Sequence, residues 1–402
     1  MTGRDYREFP FAMTEIRKSA SDIIVVGGGP IGCYLARVLA RRGYHVTVLE
    51  EHPVVGEPVH CTGIISLEAF DRFGLDRAAI VASLDRIRVV AGTGLSFTVA
   101  PAESRAVVVD RSRFDQALSQ EAMTAGAEVV LGMRVTRIAI GEEGVVAEGQ
   151  RGGEIVRFRG SLLVLATGVD QTLSRPLGLA RTRAGWLSGA QLTSEMRTAA
   201  DAEVHLGRTV APGGFAWMVP SGGITCRVGM LTRDHPRPQL EAFAETLRDR
   251  GLIGDHGSYL SRPVPCGPRL PSFADRLLAV GDAAGQVKTT TGGGIYFGLI
   301  GADAAAEAIH RAFAQGDMSA AALAEYERTW TASLFAEQRL GKKLRSYLHS
   351  LRDRDVDTLF RFLMATRVVD GLGELDFDRH CAGLLGMLGR RLQLHDGGDG
   401  LN

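Results

Sequence analysis

Apolar residues in the first part of the chain follow the spacing of strands and helices in turn. Residues 22–26 form a short, unbroken apolar run, which is typical of a strand buried in a parallel sheet. Residues 33–42 carry apolar side chains three and four positions apart, so they are predicted to form a helix. Residues 44–49 form a second strand-like run. The order strand, helix, strand predicts a βαβ unit at the start of a doubly wound sheet.

The rest of the chain shows antiparallel material between further buried runs. Unbroken apolar runs at 161–166 and 277–280 predict two more buried strands. Helical spacing is found at 66–73, 113–125, 295–313 and through most of 319–394. Strand-like segments are found at 86–100, 106–109, 127–131, 135–140, 144–147, 154–159 and, with Pro and Gly turns, through most of 181–262.

Composition excludes several classes of protein. The 402 residues include 46 Lys and Arg against 46 Asp and Glu, and this zero net charge argues against a nucleic-acid-binding protein or a polybasic membrane anchor. Five cysteines without a C-x-x-C pair argue against a disulfide framework or a zinc site, so no metal is expected. No signal peptide and no apolar stretch long enough for a membrane span is found. The expected location is the cytoplasm, with peripheral contact if the protein meets a membrane.

Glycine is enriched, and the first glycine cluster fits a dinucleotide-binding loop. There are 50 glycines, which favours tight turns and close approaches of the backbone to a ligand. Gly27, Gly29 and Gly32 satisfy G-x-G-x-x-G. Pro30 and Ile31 stand between the last two glycines. Such a loop turns tightly out of a strand and places a diphosphate at a helix N-terminus.

Polar residues at the ends of later predicted strands extend this nucleotide pattern. Glu50 ends the second strand, where a carboxylate accepts hydrogen bonds from a ribose diol. Thr167 and Gly168 end the strand LVLATG, although an ordinary strand-to-turn transition explains that segment equally well. Gly281 and Asp282 end the strand at 277–280, where an aspartate either binds the sugar-alcohol chain of a flavin or caps the next helix.

Three consecutive glycines precede the long helix predicted from Ile295. Gly292, Gly293 and Gly294 leave bare backbone N–H groups at the start of that helix. A helix N-terminus stabilises negative charge, by up to about 2 kcal/mol in a partly buried site. The pyrimidine side of a reduced flavin carries such a charge, so this loop is predicted to contact the flavin ring.

These elements, in this order and spacing, resemble the FAD-binding pattern of the glutathione-reductase-2 class of flavoproteins. Only one G-x-G-x-x-G is present, which argues against the two-nucleotide disulfide reductases. Three further segments are similar to the geranylgeranyl reductase family, whose members saturate double bonds of prenyl chains. They are GEPVHCTG at 56–63, APGGFAWMVP at 211–220 and GDAAGQVKTTTGGGI at 281–295. The similarity runs from about residue 23 to about residue 376.

The resemblance implies contacts with FAD beyond the glycine loops, with Val135 contributing its backbone near the adenine. The implied positions are Ile31, Glu50, Cys61, Thr62, Arg111, Val135, Asp282, Gly294 and Ile295. Thr289 departs from the family pattern, because some members have Pro there.

The resemblance also implies a substrate wall on an aromatic strand beside the flavin. Phe215, Trp217 and Val219 are the predicted substrate-binding residues, and Met218 between them is expected to add to the apolar wall. Phe215 stands where Tyr is usual and Val219 where Phe is usual, so the substrate itself is left open.

Cys61 is the candidate catalytic residue. A free cysteine is often a small buried apolar residue. On a loop near the flavin, the thiol would instead donate or relay a proton. His60 is interpreted as a loop residue rather than a general acid, and Lys288 either as solvated or as a residue near the flavin or a phosphate-bearing head group.

The predicted fold class is α/β with α+β elements. It comprises a discontinuous Rossmann-like FAD-binding domain, an inserted antiparallel β-sheet domain that binds substrate, and a helical C-terminal tail. The predicted boundaries are 1–20 for an N-terminal extension, 21–75, 106–180 and 270–315 for the FAD-binding domain, 76–105 and 181–269 for the substrate domain, and 316–402 for the C-terminal helical region.

The predicted function is an FAD-dependent prenyl reductase that transfers a hydride from flavin N5 and adds a proton. The substrate is expected to be a polyprenyl diphosphate, a prenylated lipid or a prenylated quinone, and the electron donor a transient NADPH or NADH or a reduced electron carrier. The alternative is a flavin-dependent monooxygenase or halogenase of the same fold, although no W-x-W-x-I motif of halogenases is present. The third hypothesis is a non-catalytic flavin-binding protein. The presence of Asp282 at the position of the flavin motif argues against it.

Overall fold

The computed structural model of the chain describes residues 20–180, 185–233, 235–257 and 259–396. The strands are β1 (Ser21–Val26), β2 (Val46–Leu49), β3 (Ile64–Ser66), β4 (Ile80–Ser83), β5 (Ile87–Ala91), β6 (Ser96–Val99), β7 (Ala106–Val109), β8 (Glu128–Val130), β9 (Arg134–Gly141), β10 (Gly144–Arg151), β11 (Glu154–Leu165), β12 (Trp186–Met196), β13 (Ala202–Leu206), β14 (Phe215–Pro220), β15 (Thr225–Thr232), β16 (Ile253–His256), β17 (Leu260–Pro265), β18 (Phe273–Ala274) and β19 (Leu277–Ala279).

The α-helices are α1 (Pro30–Arg41), α2 (Leu67–Phe73), α3 (Arg111–Thr124), α4 (Pro236–Asp249), α5 (Ile295–Gln315), α6 (Ala320–Ser350), α7 (Asp353–Ala365) and α8 (His380–Asp396). Short 3-10 helices span Arg77–Ala79, Gly281–Ala284 and Val368–Glu374. The predicted N-terminal extension at 1–20 lies outside the described residues except for Ala20.

The first sheet has the strand order β18-β19-β11-β1-β2-β8, and its central pairs are parallel. Ile23 and Val25 of β1 pack into a core with α1, α3 and α5, whereas Ile24 and Val26 face a second apolar cluster on the other side. Burial on both faces explains the unbroken apolar runs in the sequence. Because Val26 pairs with Leu49 and with Leu165, the carboxyl ends of these strands meet at one edge of the sheet.

The strand β11 joins two kinds of pairing in one element. The sequence predicts two strands, at 154–159 and 161–166, but the structure has a single strand over Glu154–Leu165. Its first half pairs antiparallel with β10, and its second half pairs parallel with β1. The long strand therefore connects the β9–β10 hairpin directly to the nucleotide-type sheet.

The second sheet has the strand order β16-β12-β15-β14-β13-β5-β6, with β17 on β12. Its strands come from residues 87–99 and 186–265. A third sheet, of order β3-β7-β4, comes from residues 64–66, 80–83 and 106–109. The division of the chain into domains with the boundaries above stays a prediction.

Helix α4 corrects the prediction that 181–262 is mostly β-structure. It begins at Pro236, and Leu240, Phe243 and Leu247 are buried against the second sheet. These residues have helical spacing in the sequence, i, i+3 and i+7. The isolated helix is short, and tertiary packing of this apolar face stabilises it.

The C-terminal region is helical, which confirms that part of the predicted fold class. Tyr326 and Trp330 of α6 are fully buried in the core that α5 shares with the first sheet. The Trp330 indole donates to Ser272 Oγ over 3.1 Å, and Tyr326 donates to the carbonyl oxygen of Ala279. The mixed α/β architecture therefore agrees with the sequence prediction. Among the described residues, no helix combines the length and apolar character that crossing a membrane requires.

Candidate active site

The first glycine loop leaves space for a diphosphate at the start of α1. A Cβ on Gly27 would lie 2.4 Å from the carbonyl oxygen of Ala166, and Gly27 has a φ of +110°. A Cβ on Gly32 would lie 2.0 Å from the carbonyl oxygen of Gly27, so α1 packs directly on the turn. Gly29, by contrast, faces open space just before Pro30 begins the helix. The free N–H groups at this helix end favour an anion.

Glu50 lies beside this loop. Its Oε2 accepts a hydrogen bond from Gly28 N over 2.6 Å, and its Oε1 accepts one from His52 N over 2.9 Å. The imidazole Nδ1 of His52 lies 2.6 Å from the same Oε1. The carbonyl oxygen of Glu50 accepts from Met133 N over 2.8 Å, which brings the start of β9 with Val135 close to it. The carboxylate is thus held in a fixed orientation at the edge of the first glycine loop.

Ile31 links the first glycine loop to the other nucleotide segments. Its side chain lies 3.3 Å from where a Cβ on Gly281 would be and 2.7 Å from where a Cβ on Gly298 would be. Gly281 has a φ of +65°, and its N–H donates to Gln286 Oε1 over 2.7 Å. Segments far apart in sequence therefore meet at the carboxyl edge of the first sheet.

Asp282 follows β19 at this edge, and its carboxylate receives no hydrogen bond from the described residues. A Cβ on Gly294 would lie 2.5 Å from its Oδ1, so the start of α5 approaches the carboxylate closely. Burial raises the pKa of Asp282, while the positive charges of Arg262, Arg269 and Arg111 oppose that rise. A carboxylate without donors in a basic groove is suited to accept hydrogen bonds from a ligand that carries hydroxyl groups.

Thr167 and Gly168 extend the groove beyond β11. Gly168 has a φ of +60°, and a Cβ there would lie 3.1 Å from Arg262 Nη2. Thr167 Oγ1 donates to the carbonyl oxygen of Asp170 over 3.0 Å. Arg262 also lies near His60, whose pKa is lowered by burial and then by this positive charge. The groove wall opposite the first glycine loop is therefore basic.

Arg269 shows that the groove fits an anionic cofactor. It is 1% exposed, and its Nη1 and Nη2 have no hydrogen-bond partner among the described residues. Its guanidinium lies 4.0 Å from the ring centroid of Trp186, and burial lowers its pKa to about 10 although Asp282 opposes the shift. Leaving a buried charge unpaired is costly. A ligand with a diphosphate and a polyhydroxyl chain would complete both Arg269 and Asp282, which is the chemistry of FAD.

The third glycine loop is held from the C-terminal region. Lys288 Nζ donates to Asp378 Oδ1 over 2.8 Å, and both side chains are buried. The Lys288 ammonium also lies 4.3 Å from the ring centroid of Phe377. The interpretation of Lys288 as solvated is therefore wrong, because tertiary packing of the tail buries it. A Cβ on Gly293 would lie 2.7 Å from Lys288 Cε, and Gly292 has a φ of +76°.

Cys61 lies on a turn between the sheets. It is exposed, whereas Cys33, Cys226, Cys266 and Cys381 are buried. Its Sγ accepts from the Gly63 N–H over 3.3 Å, and Thr62 Oγ1 donates to Gln191 Oε1 of β12 over 2.6 Å. The turn is thus tied to the second sheet.

Arg111 joins Cys61 to the groove. Its Nε and Nη2 donate to the two carboxylate oxygens of Asp115 over 3.0 and 2.8 Å. Burial alone would lower the pKa of Arg111, but Asp115 and then Cys61 raise it above its usual value. The positive charge of Arg111 also acts on Asp282, where it opposes the rise in pKa that burial causes.

The aromatic strand β14 presents its two aromatic side chains to the same side. The rings of Phe215 and Trp217 lie 5.5 Å apart at 46°, and Gly229 on β15 makes room for the indole, since a Cβ there would lie 2.2 Å from it. The Trp217 Nε1 is buried and finds no hydrogen-bond partner in the described part of the chain. Val219 is on this face too, but it is 2% exposed within an apolar cluster.

Met218 does not line this side of the strand, so that expectation is wrong. It is 0% exposed and packs with α4 on the opposite face of the second sheet. Successive side chains of a strand point to opposite faces, which separates Met218 from its two neighbours. Among the predicted cofactor residues, Ile31 lies against Gly281 and Asp282 against Gly294 at the carboxyl edge of the first sheet, and Thr62 beside Cys61 contacts the second sheet.

Comparison with known proteins identifies the family. A family model described as an FAD binding domain matches residues 20–243, more than half of the chain. A digeranylgeranylglycerophospholipid reductase of Methanospirillum hungatei is 31% identical over 81% of this chain and 84% of that protein. The chain belongs to the geranylgeranyl reductase family. It is therefore an FAD-dependent oxidoreductase of the geranylgeranyl reductase type, as the sequence predicted.

Other relatives and solved structures agree with this assignment of the reductase. The digeranylgeranylglycerophospholipid reductase of Methanocaldococcus jannaschii is 30% identical over 84% of this chain and 89% of that protein. The structure of a geranylgeranyl bacteriochlorophyll reductase-like protein from Thermoplasma acidophilum has a TM-score of 0.80, with 23% identity, and covers 94% of this chain and 99% of that one. A flavin-dependent brominase has a TM-score of 0.71 with 18% identity, covering 94% of this chain and 99% of that one, and shares the fold.

Several residues of the reductase's groove were missed at the level of sequence. Arg227, Gln191 and Arg269 are polar residues inside strand-like or loop segments, and their partners come from distant parts of the chain. The alternation of β15 does place Arg227 on the same face as Gly229, which is a usable signal. Arg269 carries no comparable signal.

Proposed function

We propose that this reductase saturates carbon–carbon double bonds in the polyprenyl chain of a lipid. The relatives named digeranylgeranylglycerophospholipid reductase favour a prenylated glycerophospholipid over a free polyprenyl diphosphate or a prenylated quinone. The aromatic face of β14 supports an apolar substrate. Peripheral contact with the membrane that holds such a lipid belongs to the same proposal.

The residues that would hold FAD fall into groups by the part of the cofactor they suit. The loop from Gly27 to Gly32 suits the diphosphate, and Glu50 with the backbone of Val135 suits the adenosine. Asp282 suits the ribityl hydroxyls, and the backbone before Ile295 suits the pyrimidine edge of the ring. When bound and reduced, FAD supplies a hydride from N5 of its ring.

The protein's part in the reaction is to exclude water and to provide a proton. An isolated alkene accepts a hydride at one carbon only as a proton is added to the other. Cys61 is proposed to give that proton: its S–H bond breaks, a C–H bond forms on the substrate, and a thiolate remains. Because Cys61 is exposed, solvent can restore the proton afterwards. Phe215 and Trp217 are proposed to hold the prenyl chain and keep water away.

One observation carries this proposal: an exposed thiol lies beside Arg111, which also interacts with the unpaired carboxylate of Asp282. Reduction of an alkene requires a hydride and a proton, and a thiol close to the proposed FAD site is suited to supply the proton. The electron donor, NADPH or NADH or a reduced carrier, stays a proposal.

The test is anaerobic incubation of dithionite-reduced, FAD-loaded protein with digeranylgeranylglycerophospholipid, geranylgeranyl diphosphate and a prenylated quinone. Mass spectrometry should show a gain of about two mass units for each double bond reduced, most rapidly with the phospholipid. Cys61→Ala should slow the reaction on the order of a hundredfold, the usual effect of losing a general acid. Cys266→Ala, which removes a buried thiol elsewhere, is the matched control.

Two outcomes would contradict the proposal. Uptake of oxygen with insertion of an oxygen or halogen atom into a substrate would support the monooxygenase or halogenase alternative. If Cys61→Ala reduces prenyl chains at an unchanged rate, the thiol is not the proton donor. The proposed prenyl reductase activity would still stand.

A further inference from the structure

Arg227 holds the turn that carries Cys61. It is half-buried on β15, on the face opposite α4. Its Nη1 donates to the carbonyl oxygen of Thr62 and, over 3.2 Å, to that of Val109 at the end of β7. A single nitrogen of the second sheet thus joins the Cys61 turn to the third sheet.

The backbone of the Cys61 turn lies close to Arg227 Nη1. Gly63 has a φ of +76°, and a Cβ there would lie 2.7 Å from the Val109 oxygen and 2.8 Å from Arg227 Nη1. The same Gly63 donates its N–H to Cys61 Sγ over 3.3 Å. Arg227 is therefore in close contact with the two residues that follow Cys61 in the turn.

The positive charge of Arg227 lies close to the Cys61 turn. Burial lowers the pKa of Arg227, and the groups that oppose this shift are Cys61 and then Asp110. Arg111 is the other cation facing Cys61, but its guanidinium is paired with both oxygens of Asp115. Arg227 donates to main-chain oxygens instead, so its charge is less compensated by an ion pair.

We propose that Arg227 is the positioning residue for Cys61: its Nη1 fixes the turn, and its positive charge stabilises the thiolate that remains when the proton leaves. The importance of this for catalysis rests on the proposed function. The effect on the thiol itself does not, because it follows from contacts within the protein.

The experiment uses the fact that Cys61 is the exposed cysteine among five. Alkylation by iodoacetamide is followed by intact mass from pH 6 to 9, and the modified position is checked by peptide mapping. The variants are Arg227→Lys, which keeps the charge and one donor nitrogen, Arg227→Gln, which keeps donors without charge, and Arg227→Met, which keeps neither. Arg237→Gln removes an exposed arginine of α4 on the far side of the same sheet as the matched control.

Since the thiolate is the reactive form, we expect Arg227→Gln and Arg227→Met to alkylate about three- to tenfold more slowly at pH 7.5, with rate profiles displaced to higher pH. Arg227→Lys and Arg237→Gln should stay within about twofold of the natural protein. If Arg227→Met does not fold, Arg227→Gln alone decides the effect of charge. A Gln profile that superimposes on that of the natural protein, or a Lys profile displaced as far as the Gln profile, would overturn the proposal.

A second measurement separates this inference from the proposed function. In the prenyl reduction assay, Arg227→Gln should lower kcat with little change in KM, and Arg227→Lys should restore most of it. If no prenyl substrate is reduced by any form of the protein, the proposed function fails, yet the alkylation profiles still decide the role of Arg227.

Discussion

Arg269 carries a charge that the described residues leave without a hydrogen bond. Its two terminal nitrogens are buried, and stacking on Trp186 compensates only part of the cost of removing the guanidinium from water. Asp282 beside it also lacks donors. At the scale of single residues, groups of both signs therefore lack hydrogen bonds here, and a ligand that bonds to them would offset the cost of their burial.

Replacing Arg269 should affect FAD binding more than the stability of the cofactor-free protein. We expect Arg269→Met to weaken FAD binding by about ten- to a hundredfold, since hydrogen bonds to charged groups contribute about 1.5–3 kcal/mol. The cofactor-free protein should lose less than about 1 kcal/mol of unfolding free energy, because only the stacking contact is removed. Titration by flavin fluorescence gives the affinity for FAD, and urea unfolding of the cofactor-free protein gives the free energy of unfolding.

Arg237→Met serves as the control for loss of one positive charge, since this residue is exposed and pairs with Glu241. Equal FAD affinity in Arg269→Met and the natural protein would show that the guanidinium does not meet the cofactor. A large loss of stability without FAD would show that its role is structural.

At the scale of elements, a buried carboxylate joins β13 to the end of α4. Glu203 accepts from Arg250 Nη1 and Nη2 over 2.8 and 2.7 Å, and His205 Nε2 lies 2.7 Å from its Oε2. Burial would raise the pKa of Glu203, but His205 and Arg250 lower it to about 2. The network anchors the helix that the sequence analysis did not predict.

This network predicts how stability depends on pH. Because the pKa of Glu203 falls from 4.5 to about 2 on folding, the stabilisation is complete above pH 4.5 and is lost as the pH falls towards 2. At about 1.4 kcal/mol for each unit of pKa, it amounts to about 3 kcal/mol at neutral pH. Glu203→Gln should therefore be about 3 kcal/mol less stable at pH 7 in urea unfolding, and the difference should shrink between pH 4.5 and 2.

Glu241→Gln is the matched control, because this exposed partner of Arg237 on α4 should change stability by less than about 1 kcal/mol at any pH. A gap between Glu203→Gln and the natural protein that stays constant from pH 7 to pH 3 would contradict the assignment of the network as ionised.

The C-terminal helices and the third glycine loop form a second junction between elements. Lys288 bonds to Asp378, and Thr290 Oγ1 lies 3.0 Å from His380 Nε2. Glu337 of α6 accepts from Cys381 N over 2.8 Å and so satisfies an N–H group at the start of α8. The tail therefore covers the outer side of the loop whose inner side faces Asp282.

At the scale of the whole molecule, the groove exists only when distant segments are together. Its walls come from 27–32, 61–63, 111 and 281–295, which are loops and helix starts beside strands of the first and third sheets. A ligand that touches all of them binds the folded protein and not the unfolded chain, so it must stabilise the fold.

FAD should therefore raise the melting temperature more than smaller flavins do. At a hundredfold excess over its Kd, FAD adds about 2.7 kcal/mol, which corresponds to a rise of a few degrees. Riboflavin lacks the diphosphate and adenosine that the first glycine loop and Glu50 suit, so its shift should be much smaller at the same concentration. Differential scanning fluorimetry of the cofactor-free protein measures both, and equal shifts would contradict the placement of the diphosphate at the first loop.

Local sequence alone predicted the βαβ start, the glycine loops and the helical tail. It also predicted that Glu50 and Asp282 lie at the ends of strands. Each depends on neighbours in the chain: apolar periodicity selects the element, and a glycine permits a backbone that a Cβ would block. The family resemblance and the FAD cofactor were predicted from these motifs, because the order and spacing of the motifs can be recognised directly along the sequence.

Tertiary structure alone decided the rest. The union of two predicted strands in β11, the helix α4, the burial of Lys288 and the partners of Arg227 and Arg269 all depend on contacts between residues far apart in sequence. From sequence alone, a charged residue is interpreted as exposed to solvent. Whether it is buried depends on which residues pack over it in the folded protein. The physical reason is that periodicity and glycine geometry act over a few residues, whereas the environment of a charge is made by the whole fold.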